Sequence, residues 1–206
     1  SYGGVWGGQY ASYHHNLIAH LNNRAVRFNG ARAHDTIALI AYRNNVIYNW
    51  GSNNIYAGEG GNYNIVNNYF KYGPSTSKSV RYRIANPGRR ETAPAIPFGK
   101  WYVDGNYIDE AAAVTKDNLL GVDMGNGGTE EDKKNTVVDK PIAAVAITVQ
   151  TAKDAYESVL KYVGASHKRD TLDERIINDV KNRTGKFIDV QGGFPHGTAY
   201  ALTVTA

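Results

Sequence analysis

The sequence predicts an all-β fold, a parallel β-helix, with α-helices packed on it towards the C-terminal end. Two observations predict this fold. A short theme, in which one or two asparagines stand between apolar or aromatic pairs, recurs four times before residue 110. After residue 150 the apolar residues follow a helical period instead.

The repeated theme centres on Asn16, Asn45, Asn68 and Asn106, which are 29, 23 and 38 residues apart. Spacings of this size are typical of repeat architectures with one supersecondary unit per period. Each unit reads as short β-segments bent at an asparagine, so stacking would bring the four asparagines into one ladder of side-chain amides. The alternative is a series of antiparallel hairpins with Asn turns. Hairpins favour Asn-Gly turns at closer spacing, which is not the dominant pattern here.

We expect residues 1–206 to form part of one domain in four stretches. Residues 1–110 are predicted to be β-helix turns and residues 111–150 to be loops and a strand. Residues 151–185 are predicted to be helical, because they hold two apolar stripes, the first ending at a glycine cap and the second starting at a capping Asp170 or Thr171. Residues 186–206 form a C-terminal segment. The glycine-rich loop at 123–128 has the wrong acid spacing for calcium and is interpreted as a surface loop.

The composition limits the partners and the chemistry. The net charge is +4 and the pI about 9.1, which makes an anionic partner plausible, either nucleic acid or acidic polysaccharide. The basic residues do not form the run of like charge typical of a nucleic-acid tail. There is no cysteine, so disulfide and thiol chemistry are excluded. No apolar run approaches membrane-span length, and we expect either a mature secreted protein or an internal fragment.

Three arginines, Arg24, Arg27 and Arg32, stand close together with no acid before Asp35. Unpaired guanidinium groups repel each other unless an anion lies between them. The cluster therefore predicts a site for a polyanion or a carboxylate-rich substrate, with a solvated basic turn as the alternative.

Other polar residues provide rival sites. His14, His15, His20 and His34 suggest a zinc site, and His20 or His34 could be a general base, although structural roles are favoured. His14 and His15 are adjacent and are expected to point to opposite faces of a strand. Glu59, in a glycine-rich turn, is interpreted as a structural hydrogen-bond acceptor, with a substrate role as the alternative.

Residues 14–20 and 24–32 resemble the catalytic stretch of the pectate lyases, in the polysaccharide lyase family that also includes pectin lyases. Five later stretches agree with that family as well: 43–51, 58–61, 66–71, 99–106 and 164–170. The resemblance spans nearly the whole chain but only the C-terminal part of the family's length. It implies a right-handed parallel β-helix with an asparagine ladder and a secreted, extracellular or periplasmic, enzyme. That enzyme would cleave polygalacturonate, or de-esterified pectin, by calcium-assisted β-elimination and release unsaturated oligogalacturonates.

The resemblance also implies roles for the arginines. Arg24 takes the place of the family's base at the start of an Arg-x-Pro-x-x-Arg pattern, and Arg27 and Arg32 are expected to bind substrate carboxylates. Val26 replaces the proline of that pattern and Asn29 its last arginine, and the loss of proline is expected to loosen the turn. Because arginine side chains ionise with a pKa above 12, an arginine base predicts an alkaline optimum.

The family's calcium carboxylates come from turns upstream of the catalytic arginine. We therefore expect calcium as the cofactor but no metal ligand in this chain, and the N-terminal half of the same enzyme as a tight partner. Neither nucleic acid nor a membrane is expected as a partner. Two alternatives stay open: a calcium-independent pectin lyase, and a non-catalytic pectin-binding β-helix.

Overall fold

The computed structural model describes residues 2–31, 37–125 and 127–187. Twelve strands and four α-helices follow one another in this part of the chain. The strands are β1 (Val5–Trp6), β2 (Ala11–His14), β3 (Leu17–Ala19), β4 (Val26–Phe28), β5 (Leu39–Arg43), β6 (Val46–Tyr48), β7 (Ile55–Ala57), β8 (Asn62–Val66), β9 (Tyr69–Lys71), β10 (Ala85–Pro87), β11 (Lys100–Asp104) and β12 (Tyr107–Ile108). The helices are α1 (Ala112–Lys116), α2 (Glu130–Thr136), α3 (Ala152–Tyr162) and α4 (Thr171–Asn182).

Every third strand belongs to the same sheet. The three four-stranded sheets run in the orders β1-β4-β7-β10, β2-β5-β8-β11 and β3-β6-β9-β12, and all pairings between these strands are parallel. Each repeat thus contributes one strand to each sheet, which fits a parallel β-helix. The alternative of antiparallel hairpins is wrong for these strands.

The bend between the second and third sheets has a local cause. The residue before each repeat asparagine has a left-handed backbone: φ is 55° at His15, 54° at Asn44, 53° at Asn67 and 66° at Gly105. Asparagine and glycine tolerate this conformation better than most residues, which accounts for the Asn-Asn and Gly-Asn pairs. The asparagine that follows then turns its side chain into the stack.

These asparagines form a hydrogen-bonded row. Asn16 Nδ2 donates to Asn45 Oδ1 at 2.8 Å, Asn45 to Asn68 at 3.0 Å, and Asn68 to Asn106 at 2.9 Å. Asn118, which the repeat does not predict, accepts from Asn106 at 3.0 Å. Except for Asn16 these side chains are buried, so the amides satisfy one another where water is excluded.

The space between the sheets is filled by aromatic and aliphatic side chains. Phe28 stacks on Tyr63 with ring centroids 4.6 Å apart, and Tyr63 lies 4.5 Å from Trp101. Trp50 and Trp101 are fully buried. Both tryptophans therefore belong to the core of the stack.

Helices α3 and α4 lie against one side of the stack. Val159, Leu160, Ile177 and Val180 pack on Val46 and Tyr48 of β6. The α3 helix begins at the side-chain cap of Thr151, and α4 begins at that of Asp170. Both therefore lie within the stretch predicted to be helical, 151–185, and cover the sheet β3-β6-β9-β12.

The prediction of loops and a strand for residues 111–150 is wrong in part. Its described residues contain α1, α2 and a 3-10 turn at Asn118–Gly121, while only isolated bridges at Val122 and Val137 pair with strands. The extended chain after α2 is held by side chains instead, because the amide of Asn64 exchanges two hydrogen bonds with the backbone of Ile142.

Strand β10 lies in the long connection between β9 and β11. Of the C-terminal segment 186–206, residues 188–206 lie outside the described residues. Within the described ranges, no helix combines the length and apolar character needed to cross a membrane.

Candidate active site

The arginine cluster begins at the corner between β3 and β4. Arg24 occupies the corner with φ of 51°, and β4 follows directly. Val26 and Phe28 are fully buried, so alternation along the strand turns Arg27 to the outer face of the sheet β1-β4-β7-β10. The local fold thus presents two of the three arginines outward.

Arg24 is exposed and only loosely held by its side chain. Its backbone N–H donates to Asn23 Oδ1 at 2.7 Å. Its guanidinium carbon lies 5.1 Å from the centre of the Tyr2 ring, a cation–π contact. Among the residues that the structure describes, no carboxylate forms an ion pair with Arg24. The group is therefore accessible to an anionic ligand.

Arg27 differs from the expectation of an unpaired cation. Its Nη2 lies 3.0 Å from Glu59 Oε1, and its Nη1 donates to the carbonyl of Phe28 at 3.2 Å. The guanidinium is also 5.9 Å from the Tyr56 ring. The prediction that Arg27 lacks an acidic partner is wrong, whereas the interpretation of Glu59 as a structural hydrogen-bond acceptor is confirmed. The pair joins two consecutive coils and leaves Arg27 18% exposed.

The third member of the predicted cluster, Arg32, lies outside the described residues, as do His34 and Asp35. Its role as a carboxylate-binding residue stays a prediction. The described part of the site is therefore built from Arg24, Arg27 and their neighbours.

Val26, the residue in place of proline, is integrated into the sheet. It is fully buried, and its N–H donates to the carbonyl of Asn54 at 2.7 Å. Proline has no N–H and would lose this hydrogen bond. The expectation that the loss of proline loosens the turn that presents Arg24 stays a prediction, because this hydrogen bond lies in the strand that follows the turn.

Register extends the outer face beyond Arg27. Val5, Arg27, Tyr56 and Asn86 are successive partners across β1, β4, β7 and β10. Neighbouring strands lie about 4.8 Å apart. The row offers an aromatic ring and an amide beside the cation, which are groups that contact sugar rings and hydroxyls.

A polar network next to Arg24 was not predicted from the sequence. Asn23 Oδ1 also accepts from Asn53 Nδ2 at 3.3 Å, Asn53 Oδ1 accepts from Arg83 Nη2 at 2.8 Å, and Arg83 pairs with Asp123 at 3.1 Å. These residues stand at corners of successive coils. The only sequence signal was the recurrence of asparagine before β4 and β7.

The histidines do not join this site as far as the structure describes them. His20 Nδ1 lies 2.9 Å from Asn49 Nδ2, and its Nε2 lies 3.3 Å from Asp179 of α4. Burial lowers the pKa of His20, an effect that Asp179 partly offsets. The Nδ1 atoms of His14 and His15 lie 2.8 Å apart at a bend, so the expectation of opposite faces is wrong.

The described residues do not fit a metal site. No group of three or more histidine, aspartate or glutamate side chains converges in ranges 2–31, 37–125 and 127–187. The one acid beside the arginines there, Glu59, is engaged by Arg27. We therefore assign no calcium ligand to these residues.

Known proteins resemble this chain over much of its length. Proteins named probable pectate lyase C are 38% identical over 149 residues in Aspergillus fumigatus, 37% over 147 in Neosartorya fischeri and 33% over 146 in Aspergillus flavus. Each match covers 68% of this chain but 31% of the relative, so the chain spans about a third of the length of these curated relatives. No family model matches the chain. Together with three parallel sheets and an outward-facing arginine pair, this similarity places the chain in the pectate lyase family.

Proposed function

We propose that this chain is the C-terminal part of the catalytic domain of a pectate lyase that cleaves polygalacturonate by β-elimination. In this proposal Arg24 is the base, and Arg27 and Arg32 bind substrate carboxylates. The observation that carries it is the exposed Arg24 guanidinium at the edge of an outward-facing row, in a chain related to proteins of that name.

The reaction requires a base beside concentrated positive charge. A base removes the proton on C5 of a galacturonate, which is α to the carboxylate, and the resulting carbanion resembles an enolate. The bond between C4 and its glycosidic oxygen then breaks, a C4–C5 double bond forms, and the departing oxygen takes a proton. Cations that bind the substrate carboxylate stabilise the developing charge.

Arg24 suits the base role by its position. A guanidinium can accept a proton only in its neutral form. Arg27 supplies a second cation from β4, and its contact with Glu59 fixes the direction of its guanidinium. A pH profile that rises into the alkaline range is expected from this assignment.

Calcium dependence is part of the proposal, although the described residues offer no converging ligand set for it. We also propose that the N-terminal half of the same enzyme supplies the calcium carboxylates and packs on the strands β1, β2 and β3, which stand at one edge of their sheets.

We infer a right-handed coil in which the asparagine row acts as a ladder, supported by the amide hydrogen bonds between coils. A secreted enzyme, in the extracellular space or the periplasm, would have access to pectin.

The test uses the complete protein with polygalacturonate and with methylated pectin, with and without a chelator, and follows the ultraviolet absorbance of the unsaturated product. We expect activity on polygalacturonate that the chelator abolishes. We expect Arg24→Ala to lower kcat by about 100-fold or more, the scale of a lost general base. Arg175→Ala, which changes an exposed arginine on α4, is the matched control and should keep full activity.

Each alternative has its own result. Activity on methylated pectin that survives chelation identifies a pectin lyase. Binding to pectin without product in any condition identifies a non-catalytic pectin-binding β-helix. Full activity of Arg24→Ala rejects the assignment of the base alone.

A further inference from the structure

A chain of hydrogen bonds connects the backbone of Arg24 to an ion pair two coils away. The Arg24 N–H donates to Asn23 Oδ1, which also accepts from Asn53 Nδ2. Asn53 Oδ1 in turn accepts from Arg83 Nη2. Each amide oxygen in the chain is thus oriented by the next donor.

The far end of the chain is firmly held. Arg83 is only 11% exposed at its side chain, lies 3.1 Å from Asp123 Oδ2, and also donates to the carbonyl of Ser52. Asp123 Oδ1 accepts from the N–H of Gly125 at 2.8 Å. Arg83 has one planar guanidinium and three partners, so its geometry fixes Ser52 and Asn53 together.

The near end of the chain needs support. Arg24 has a left-handed backbone with φ of 51°, a conformation that is unfavourable for a residue with a side chain unless its surroundings impose it. The Asn23 amide engages the N–H of this residue, and the Arg24 side chain makes only the cation–π contact with Tyr2 within the described part of the chain. The direction of the guanidinium therefore depends on the backbone.

We propose that Arg83 is a positioning residue for Arg24: acting through Asn53 and Asn23, it fixes the left-handed corner that presents the Arg24 guanidinium. The catalytic consequence rests on the proposed function, since it takes Arg24 as the base. The structural consequence, the conformation of Arg24, does not. Arg83 itself touches no reacting atom in this scheme.

The test compares Arg83→Met, Asn53→Ala and their double variant in the complete protein, with Arg175→Met as the matched control. We expect each single variant to lower kcat on the order of tenfold with KM within about twofold, because small displacements of a reacting group slow chemistry more than binding. Because the two residues act in series, the double variant should lose about as much as either single one. Arg83→Lys, which keeps the charge but not the planar geometry, should recover part of kcat.

Crystal structures of the variants provide a readout that is independent of activity. We expect φ of Arg24 to leave the left-handed region in Arg83→Met and in Asn53→Ala. If Arg83→Met does not fold, kcat and the Arg24 backbone conformation in Asn53→Ala and Arg83→Lys test the inference instead. Asn53→Ala is suitable because it leaves the Arg83–Asp123 pair in place.

Three results would overturn the inference: wild-type kcat in the variants, losses that multiply to about 100-fold in the double variant, or an unchanged Arg24 backbone. A wild-type protein without lyase activity would refute the proposed function instead. In that case the Arg24 conformation in the variants alone supports or overturns the role of Arg83.

Discussion

Removing one buried amide from the asparagine row should destabilise the fold severely. Asn68 is fully buried between Asn45 and Asn106. Its Oδ1 accepts from both the N–H and the Nδ2 of Asn45 at 3.0 Å, and its Nδ2 donates to the carbonyl of Tyr42. In Asn68→Ala the two donors of Asn45 and the Tyr42 carbonyl lose these partners.

The magnitude follows from those three groups. A buried polar group left without its hydrogen bond costs about 1–3 kcal/mol. Asn68→Ala should therefore lower the free energy of unfolding by about 3–9 kcal/mol, a large part of the 5–15 kcal/mol typical of a domain. Asn16→Ala is the matched control, because the backbone N–H at position 16 still donates to Asn45 Oδ1, at 3.0 Å. We expect this variant to lower the free energy of unfolding by about 1 kcal/mol.

Urea denaturation monitored by tryptophan fluorescence measures both variants, because Trp50 and Trp101 are fully buried and report on loss of the core. The reasoning is refuted if Asn68→Ala and Asn16→Ala are equally stable. A row that contributed only packing, without amide pairing, would give that result.

Three further predictions concern other parts of the molecule. Glu59→Gln keeps an acceptor for Arg27 but removes a negative charge beside it. KM for polygalacturonate should therefore fall about threefold at low ionic strength and return towards the wild-type value at about 0.5 M salt, where charges are screened. An unchanged KM would argue against a substrate role of Arg27. Burial lowers the pKa of His20, so the unfolded chain takes up the proton first and stability falls as pH drops below about 6.5, by at most about 1.4 kcal/mol per pH unit. In thermal unfolding measured across pH, Tm should fall less steeply with decreasing pH for His20→Gln than for the wild type. Equal slopes of Tm against pH would contradict this. Leu160→Ala should lower the free energy of unfolding, measured by urea denaturation, by about 2–5 kcal/mol because it opens a cavity under α3. Leu120→Ala, which changes an exposed leucine, should lower it little. Similar decreases in the two variants would contradict the packing of α3 on the stack.

The repeat pattern was readable from the sequence because each bend has a strict local requirement. A left-handed residue followed by an inward asparagine leaves a recognisable dipeptide, as at Asn44 and Asn45. Asn118 escaped prediction because it lies only 12 residues after Asn106, in a 3-10 turn and not in a full coil.

The short helices were missed for a different reason. The α1 helix has five residues and α2 has seven, too few to display an apolar period. The capping box of Thr129 and Asp132 was the available signal for α2.

The candidate site was only partly predictable. Arg24 and Arg27 stand out by composition, but the acid that pairs with Arg27 is 32 residues away along the chain. The same holds for Arg83, whose link to the Arg24 corner passes through two asparagines on different coils. Contacts of this kind depend on the register between coils.

The sequence by itself determined the coil repeat, the asparagine positions and the outward direction of Arg24 and Arg27, because backbone conformation and alternation along a strand are set by neighbouring residues. Only the tertiary structure decided which arginine is paired, which corner residues support Arg24, and where the helices pack. Those outcomes depend on the length of each connection between strands, since that length determines which side chains of successive coils lie next to each other.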